Sequence, residues 1–326
     1  QDSGYQDMPL MSLSSSGYPD LLPLCDGLLE WCEPHKVNLA LPSLRADNFS
    51  MNLMEKLQRG GRKSGLTFAP EAGSQRLRDA INKNVTEEDL LNSCRTAFSG
   101  GWSSVKLYFM LGLPTETDED VLGIADLAQK VYHVWRENTP NRSRGVRITV
   151  STSCFVPKSH TPFQWEAQNT QEEYLRKVTL LREHMRNKSI TYNWHDPETS
   201  YLEAVLSRGD RRIADVIEEA WRHGAKFDSW SEYFNLQTWL TAMETCGVSP
   251  AFYANRVREK DEILPWHVIS DGVKESYLWR ERETAYAGKI TPDCKVKCSG
   301  CGANKLCKGG ICHGWPAYFI CQVWHS

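Results

Sequence analysis

From residue 7 to about 187, short runs of β-branched and large apolar residues alternate with longer stretches whose apolar positions recur at helical spacing. That alternation is the sequence form of repeated βα units around a parallel sheet. Strands are expected at Met8 to Leu13, Lys36 to Leu41, Gly65 to Phe68, Ser104 to Met110 and Gly145 to Ser153, each followed by turn residues and a helix. Thr86, Thr117 and Thr170 each stand before a cluster of acidic residues, the arrangement of a hydroxyl cap and of carboxylates at the positive end of a helix dipole. After Thr86, Leu90, Leu91, Cys94, Ala97 and Phe98 fall on one helical face, and after Thr117, Val121, Ile124, Ala125, Ala128 and Val131 do the same. These faces should pack against the sheet.

Beyond about residue 190 the pattern reads as purely helical, with Glu198 to Ser207, Arg211 to His223 and Leu236 to Cys246 each ending near a glycine. The domain organisation expected from this shift is a βα region over 1–190, a helical region over 191–290 and a cysteine-rich tail over 291–326. Eight of the 12 tryptophans lie from Trp194 onward and are expected to pack as buried surface. No internal repeat or low-complexity segment appears.

At 326 residues the chain is long enough for one large core or two modest ones. Hydrophobic residues at 40% and charged residues at 24% are ordinary for a globular protein, and a net charge of -3 carries no basic excess to advertise nucleic acid. No apolar run approaches about 18 residues, and the first residues hold neither a charged nor an apolar targeting segment, so a cytoplasmic protein without membrane contact is expected. The chain has no initiator Met and enters a strand almost at once, which reads as the interior of a longer protein.

Of 11 cysteines, Cys294, Cys298, Cys301, Cys307, Cys312 and Cys321 crowd the end. Such crowding favours metal over disulfides. Cys294, Cys298 and Cys301, with Cys307 or Cys312 as fourth ligand, suit either an iron–sulfur cluster or a structural zinc, and spacing does not separate the two.

In a parallel βα array the loops at the carboxyl ends of the strands carry ligands and catalysis. Here these are Ser12 to Tyr18, Ala69 to Arg76, Leu111 to Thr117 and Cys154 to Pro162, expected to meet at one mouth. They combine small residues that admit close backbone approach, a carboxylate, a guanidinium and an apolar wall. Charge-assisted contacts of about 1.5 to 3 kcal/mol each, two or three together, would give micromolar binding of a zwitterionic, ribose-bearing cation. Two other polar features stand out. His195 and Asp196 would meet substrate or exchange a proton, against the plainer reading of Asp196 as a helix cap before Pro197. Lys106 lies inside a strand and points either toward a ligand or to solvent.

The runs Leu66-Thr-Phe-Ala-Pro-Glu-Ala-Gly-Ser-Gln-Arg-Leu-Arg-Asp-Ala-Ile-Asn82, Ser104-Val-Lys-Leu-Tyr-Phe-Met-Leu-Gly-Leu-Pro-Thr-Glu-Thr117 and Ser153-Cys-Phe-Val-Pro-Lys-Ser-His-Thr-Pro-Phe-Gln-Trp165, in that order, resemble the radical S-adenosylmethionine (SAM) superfamily. The resemblance is nearest to the subfamily with an upstream cobalamin (B12)-binding domain, and it extends through Asn193 to Pro197 and Glu203 to Arg212. It implies an α/β fold: a partial (β/α)6 TIM-like barrel, here lacking its first strand, then a helical C-terminal region with a Cys-rich tail. It also implies a 4Fe-4S cluster that binds SAM and cleaves it to a 5'-deoxyadenosyl radical, with the protein orienting these groups and excluding water. Carried over by motif, Ser14, Ser15, Ser16 and Gly17 would lie near the methionyl group of SAM, and Glu71 and Arg76 near its ribose or carboxylate. Gly112 and Glu116 would sit by the adenine-side loop, with Val156 and Pro157 in the adenine wall. Against these roles, Glu71 and Glu116 also read as helix-cap carboxylates.

Members of that superfamily hold the catalytic cluster by Cys-x3-Cys-x2-Cys after the first barrel strand. No such motif precedes Ser12, so the resemblance places it upstream and implies that this fragment alone does not cleave SAM. Cys294, Cys298 and Cys301 repeat that spacing but follow the helical region, and Asn304 and Cys307 depart from the subfamily's own terminal cluster. The implied partners are SAM, an electron donor such as flavodoxin or ferredoxin, and a substrate that includes RNA or protein among its classes. Two other readings stand beside this one. A non-radical barrel aldolase or isomerase would use Lys106, and a non-catalytic metal-binding interaction module would sit on a degenerate barrel.

Overall fold

The structure, a computed structural model, describes residues 7–10, 20–40, 65–294 and 296–303. The chain divides into two compact units that interleave along the sequence. The first comprises Gln1–Phe109, Thr117–Thr152 and Leu180–Asn193, and the second Met110–Glu116, Ser153–Thr179 and Trp194–Ser326.

The first unit is mixed α/β with parallel strands. Strand β1 (Asp7–Pro9) pairs in parallel with β2 (Asn38–Ala40), and between them α1 (Leu21–His35) buries Leu21, Cys25, Leu29 and Cys32 along one stripe. A four-stranded sheet follows in the order β3 (Leu66–Glu71), β4 (Ser104–Leu111), β5 (Arg147–Cys154), β6 (Ile190–Trp194). β3 and β4 are parallel, with Thr67 opposite Lys106. Along β4 every second residue is buried: Val105, Leu107, Phe109 and Leu111, with Lys106, Tyr108 and Met110 half-buried on the other face. Among the described residues no ladder joins β2 to β3, so the strands form two sheets.

Helices α2 (Gln75–Ala80), α3 (Glu87–Ser99) and α4 (Asp118–Asn138) start where the sequence caps them. Thr86 and Asp89 form a reciprocal capping box, and the Asp120 carboxylate accepts the Thr117 N–H at 2.8 Å, satisfying backbone N–H groups at these helix starts. The apolar faces expected for α3 and α4 are the buried ones, except that Leu91 and Ala125 are only half-buried.

The second unit is helical: α6 (Pro197–Arg208), α7 (Arg212–Arg222), α8 (Leu236–Thr245), α9 (Pro250–Ala254) and α10 (Glu275–Tyr286). The start of α5 (Gln171–His184) belongs to it, and the last turn of α5 to the first unit. One core joins Val156 to Leu202, Val205, Val216, Trp239 and Met243, and another joins Trp165, Leu264, Trp266 and Leu278. The wholly buried Arg208 ties segments of this unit together by donating to the carbonyls of Tyr253 (2.9 Å) and Glu166 (2.8 Å). Burial, then the neighbouring Arg258, pushes its guanidinium down to about 9. Among the described residues no helix is long and apolar enough to cross a membrane.

Three expectations are corrected. The chain beyond 190 is not purely helical, because Ile190–Trp194 forms β6; its alternation of half-buried Ile190 and Tyr192 with exposed residues spans only five positions, too few to outweigh the helical pattern after it. β3 runs on to Glu71 rather than stopping at Phe68, and Pro70 is accommodated because the ladder shifts register between Phe68 and Glu71. The tryptophans of the second unit do not all pack: Trp239 and Trp266 are buried, whereas Trp221 and Trp230 are 60% and 61% exposed.

Candidate functional site

The chain leaves β4 through Gly112, Leu113, Pro114, Thr115 and Glu116, a turn that needs two residues of positive φ, Gly112 at 90° and Thr115 at 68°. Glu116 does not cap α4, since Thr117 and Asp120 do that. Its side chain is 2% exposed and folds back, accepting the Gly112 N–H at 2.8 Å and pairing with Lys177 of α5 at 2.8 Å. Lys177, itself 7% exposed, also donates to Asn169 Oδ1 at 3.0 Å. Asn169 closes the ring, because a Cβ on Gly112 would stand 2.7 Å from that same Oδ1. Burial pushes the Glu116 carboxyl up, and the ammonium of Lys177 offsets only part of that. The result is a turn after a sheet strand whose shape is set by one buried ion pair and one glycine.

Sequence reasoning missed Lys177 and Asn169. The signal for Lys177 was present: it shares one helical face with the buried Tyr174, Val178 and Leu181, where an unpaired lysine is costly.

The turn after β3 is organised separately. Glu71 (φ 69°) pairs with Lys83 at 2.9 Å, so it is not a helix cap. Arg76 pairs with Asp120 in the first turn of α4, and Ser74 both caps α2 and donates to Asp120. Gly73 makes this contact possible, since a Cβ there would overlap the backbone of Asp120 and Ile124. Burial raises the Asp120 carboxyl, but hydrogen bonds from Arg76, Ser74 and the Thr117 N–H outweigh it and hold the group below the usual carboxylate range.

After β5, burial pushes the Cys154 thiol up to about 12. Val156 is buried in the larger core of the second unit, and the Pro157 carbonyl accepts from Arg208 at 3.4 Å. Asp196 caps α6 by accepting the Glu198 N–H at 2.7 Å, while His195 is exposed with its carbonyl bonded to Tyr174. Of the residues named from the sequence, Glu71 and Arg76 lie in the first unit, and Gly112, Glu116, Val156 and Pro157 in the second. Ser14, Ser15, Ser16 and Gly17 fall outside the described residues.

In the tail Cys294 is exposed and Cys298 and Cys301 are half-buried, with the Cys301 carbonyl accepting the Lys274 N–H at 2.8 Å and the Ser299 carbonyl accepting from Arg280 at 2.6 Å. Among the described residues no three His, Cys, Asp or Glu side chains are gathered as metal ligands; Cys307 and Cys312 lie outside them.

Residues 13–128 match the family profile of the radical SAM superfamily. The chain is similar to an uncharacterized protein of Methanocaldococcus jannaschii, with 31% identity over 209 residues, which is 64% of this chain and 43% of that protein. The match thus spans less than half the length of this relative. Among solved structures it is similar to a sugar phosphate isomerase/epimerase from Parabacteroides distasonis, at 8% identity and a TM-score of 0.32, covering 87% of this chain and 93% of that one.

Proposed function

We propose that this chain is the larger part of a radical SAM enzyme of the subfamily with a cobalamin-binding domain, completed by an upstream segment that holds the catalytic 4Fe-4S cluster. The observation that carries the reading is the turn Gly112 to Glu116, fixed at the end of a parallel strand by the buried Glu116–Lys177 pair and lying inside the matched region. Such a turn presents backbone groups at a strand's carboxyl end, where βα proteins hold ligands.

Cys25, Cys32, Cys94 and Cys154 do not suit the catalytic cluster. Cys25 and Cys32 are buried on α1, Cys94 on α3, and Cys154 at the end of β5, and burial raises the thiols of Cys94 and Cys154 to about 12. Thiolates in such places are disfavoured, so the proposal puts the cluster ligands upstream. When bound, that cluster supplies the electron for reductive cleavage of SAM to methionine and a 5'-deoxyadenosyl radical.

The part of this chain is to bind and orient SAM. The proposal assigns the methionyl end to Ser14, Ser15, Ser16 and Gly17, the ribose or carboxylate to Glu71 and Arg76, and the adenine side to Gly112, Glu116, Val156 and Pro157. Cys294, Cys298, Cys301 and Cys307 would hold a second iron–sulfur cluster or zinc. The proposed substrate classes are RNA and protein, with the reducing electron from a flavodoxin- or ferredoxin-like donor.

The test is anaerobic reconstitution of the protein extended upstream, followed by metal analysis and assay for 5'-deoxyadenosine with SAM and dithionite. Iron at about four per chain indicates the catalytic cluster alone, and about eight a second cluster in the tail. No iron and no SAM cleavage would remove the radical reading.

A further inference from the structure

The sheet of the first unit has one face whose chemistry the proposed SAM contacts leave unused. The amides of Arg147 and Phe155 donate to the carbonyls of Ser103 and Leu111, at 2.8 and 2.9 Å. Both bonds advance by the same number of residues on each strand, so β4 and β5 run parallel without a bulge. In a parallel ladder this bonding sets Arg147 opposite Ser104, and therefore Thr149 opposite Lys106 and Ser151 opposite Tyr108. On the other side of β4, Thr67 is the partner of Lys106. Residues opposite one another across a ladder share a face. Thr67, Lys106 and Thr149 thus form one row, with Tyr108 and Ser151 in the next.

That face is unlike the other face of the same strands. The face carrying Val105, Leu107, Phe109, Ile148 and Val150 is buried and mostly apolar, and its Thr152 hydroxyl is already bonded to the Tyr192 hydroxyl at 2.9 Å. The face carrying Lys106 also carries four hydroxyl-bearing residues, Thr67, Tyr108, Thr149 and Ser151, with Lys106 on β4, a strand with neighbours on both sides. Among the described residues no hydrogen bond or ion pair engages the Lys106 Nζ; its contact is the Tyr108 ring, with 4.6 Å to the centroid. A half-buried ammonium on an inner strand loses hydration and ordinarily recovers it from a carboxylate. The residues that share this face with Lys106 by register carry hydroxyls, and hydroxyl donors on one face with a cation suit an oxyanion.

We infer that Lys106, with the hydroxyls of Thr67, Thr149, Tyr108 and Ser151, binds an oxyanion, the carboxylate or phosphate group of a small-molecule ligand. The inference uses residues of the first unit alone and does not depend on SAM chemistry. An anion at this place lies over the middle of the sheet, with its charge met by one lysine and its remaining lone pairs by hydroxyls.

Isothermal titration of the full chain with inorganic phosphate and, separately, with propionate at low ionic strength tests it. Saturable one-to-one binding of either anion is expected, with phosphate preferred if the ligand is a phosphate ester and propionate if it is a carboxylate. Lys106→Met should weaken that binding at least tenfold, Lys106→Arg should retain it within about threefold, and Thr149→Val should weaken it several-fold. In the unaltered chain the bound anion should slow acetylation of Lys106 relative to Lys130, read by mass spectrometry, so the result does not depend on a variant folding. Absence of saturable binding of both anions, binding indifferent to Lys106→Met in a folded variant, or no protection of Lys106 would each overturn the inference.

Discussion

The ammonium of Lys177 lies 2.8 Å from Oε1 of Glu116, and both side chains are withdrawn from water, at 7% and 2% exposure. The same carboxylate receives the Gly112 N–H, so a single buried charge links α5 to the turn after β4. Removing one partner leaves the other as an uncompensated charge in the interior. Lys177→Met should therefore cost about 3 to 5 kcal/mol in urea unfolding, and the double variant Glu116→Gln with Lys177→Met should recover a substantial part of it. Equal losses in the single and double variants would show that the pair does not act as a unit.

Gly112 holds φ at 90° with Asn169 Oδ1 only 2.7 Å from where a side chain would begin. Gly112→Ala is expected to lose about 2 to 4 kcal/mol from backbone strain and overlap together. Asn169→Ala combined with Gly112→Ala should return the overlap part but not the strain part. Unfolding curves of the two variants measure the division.

Asp120 has a folded-state carboxyl held below its ordinary value, by hydrogen bonds from Arg76, Ser74 and Thr117 that outweigh burial. A depressed folded value means that its contribution is fully present above the unfolded value, about 3.9, and is lost as pH falls through the folded one. Asp120→Asn should thus be less stable than the unaltered chain by about 1.5 to 3 kcal/mol at neutral pH, with the gap closing below about pH 4. A gap that stays constant down to pH 2 would contradict this account.

Burial raises the thiols of Cys94 and Cys154 to about 12, while Cys294 is exposed. In native, metal-free protein at pH 8, iodoacetamide should modify Cys294 and spare Cys94 and Cys154, as read by peptide mass spectrometry. Alkylation of Cys154 at a rate near that of Cys294 would show that the end of β5 opens readily.

The helices were legible because their signals are local. Thr86 with Asp89 and Thr117 with Asp120 mark starts within four residues, and the apolar stripes of α3 and α4 repeat often enough to fix the buried face. β6 was not legible, since five residues of weak alternation carry little periodic signal. The extension of β3 through Pro70 was hidden for another reason: the proline reads as a stop, and a register shift in the ladder removes the conflict.

By itself the sequence determined the alternation of strands and helices, the glycine-bearing turn after β4, and the acidic and hydroxyl residues that open each helix, all of them set by neighbours a few positions apart. Only the tertiary structure decided what those residues hold. Glu116 was readable as a cap, but its partner stands 61 residues away on α5. Arg76 was readable as a ligand contact, but it meets Asp120, 44 residues on. Lys106 was readable as pointing either way, and the ladder register set it opposite Thr67. Partners so far apart in sequence are chosen by burial, because a charge removed from water takes whichever opposite charge the packed elements bring to it.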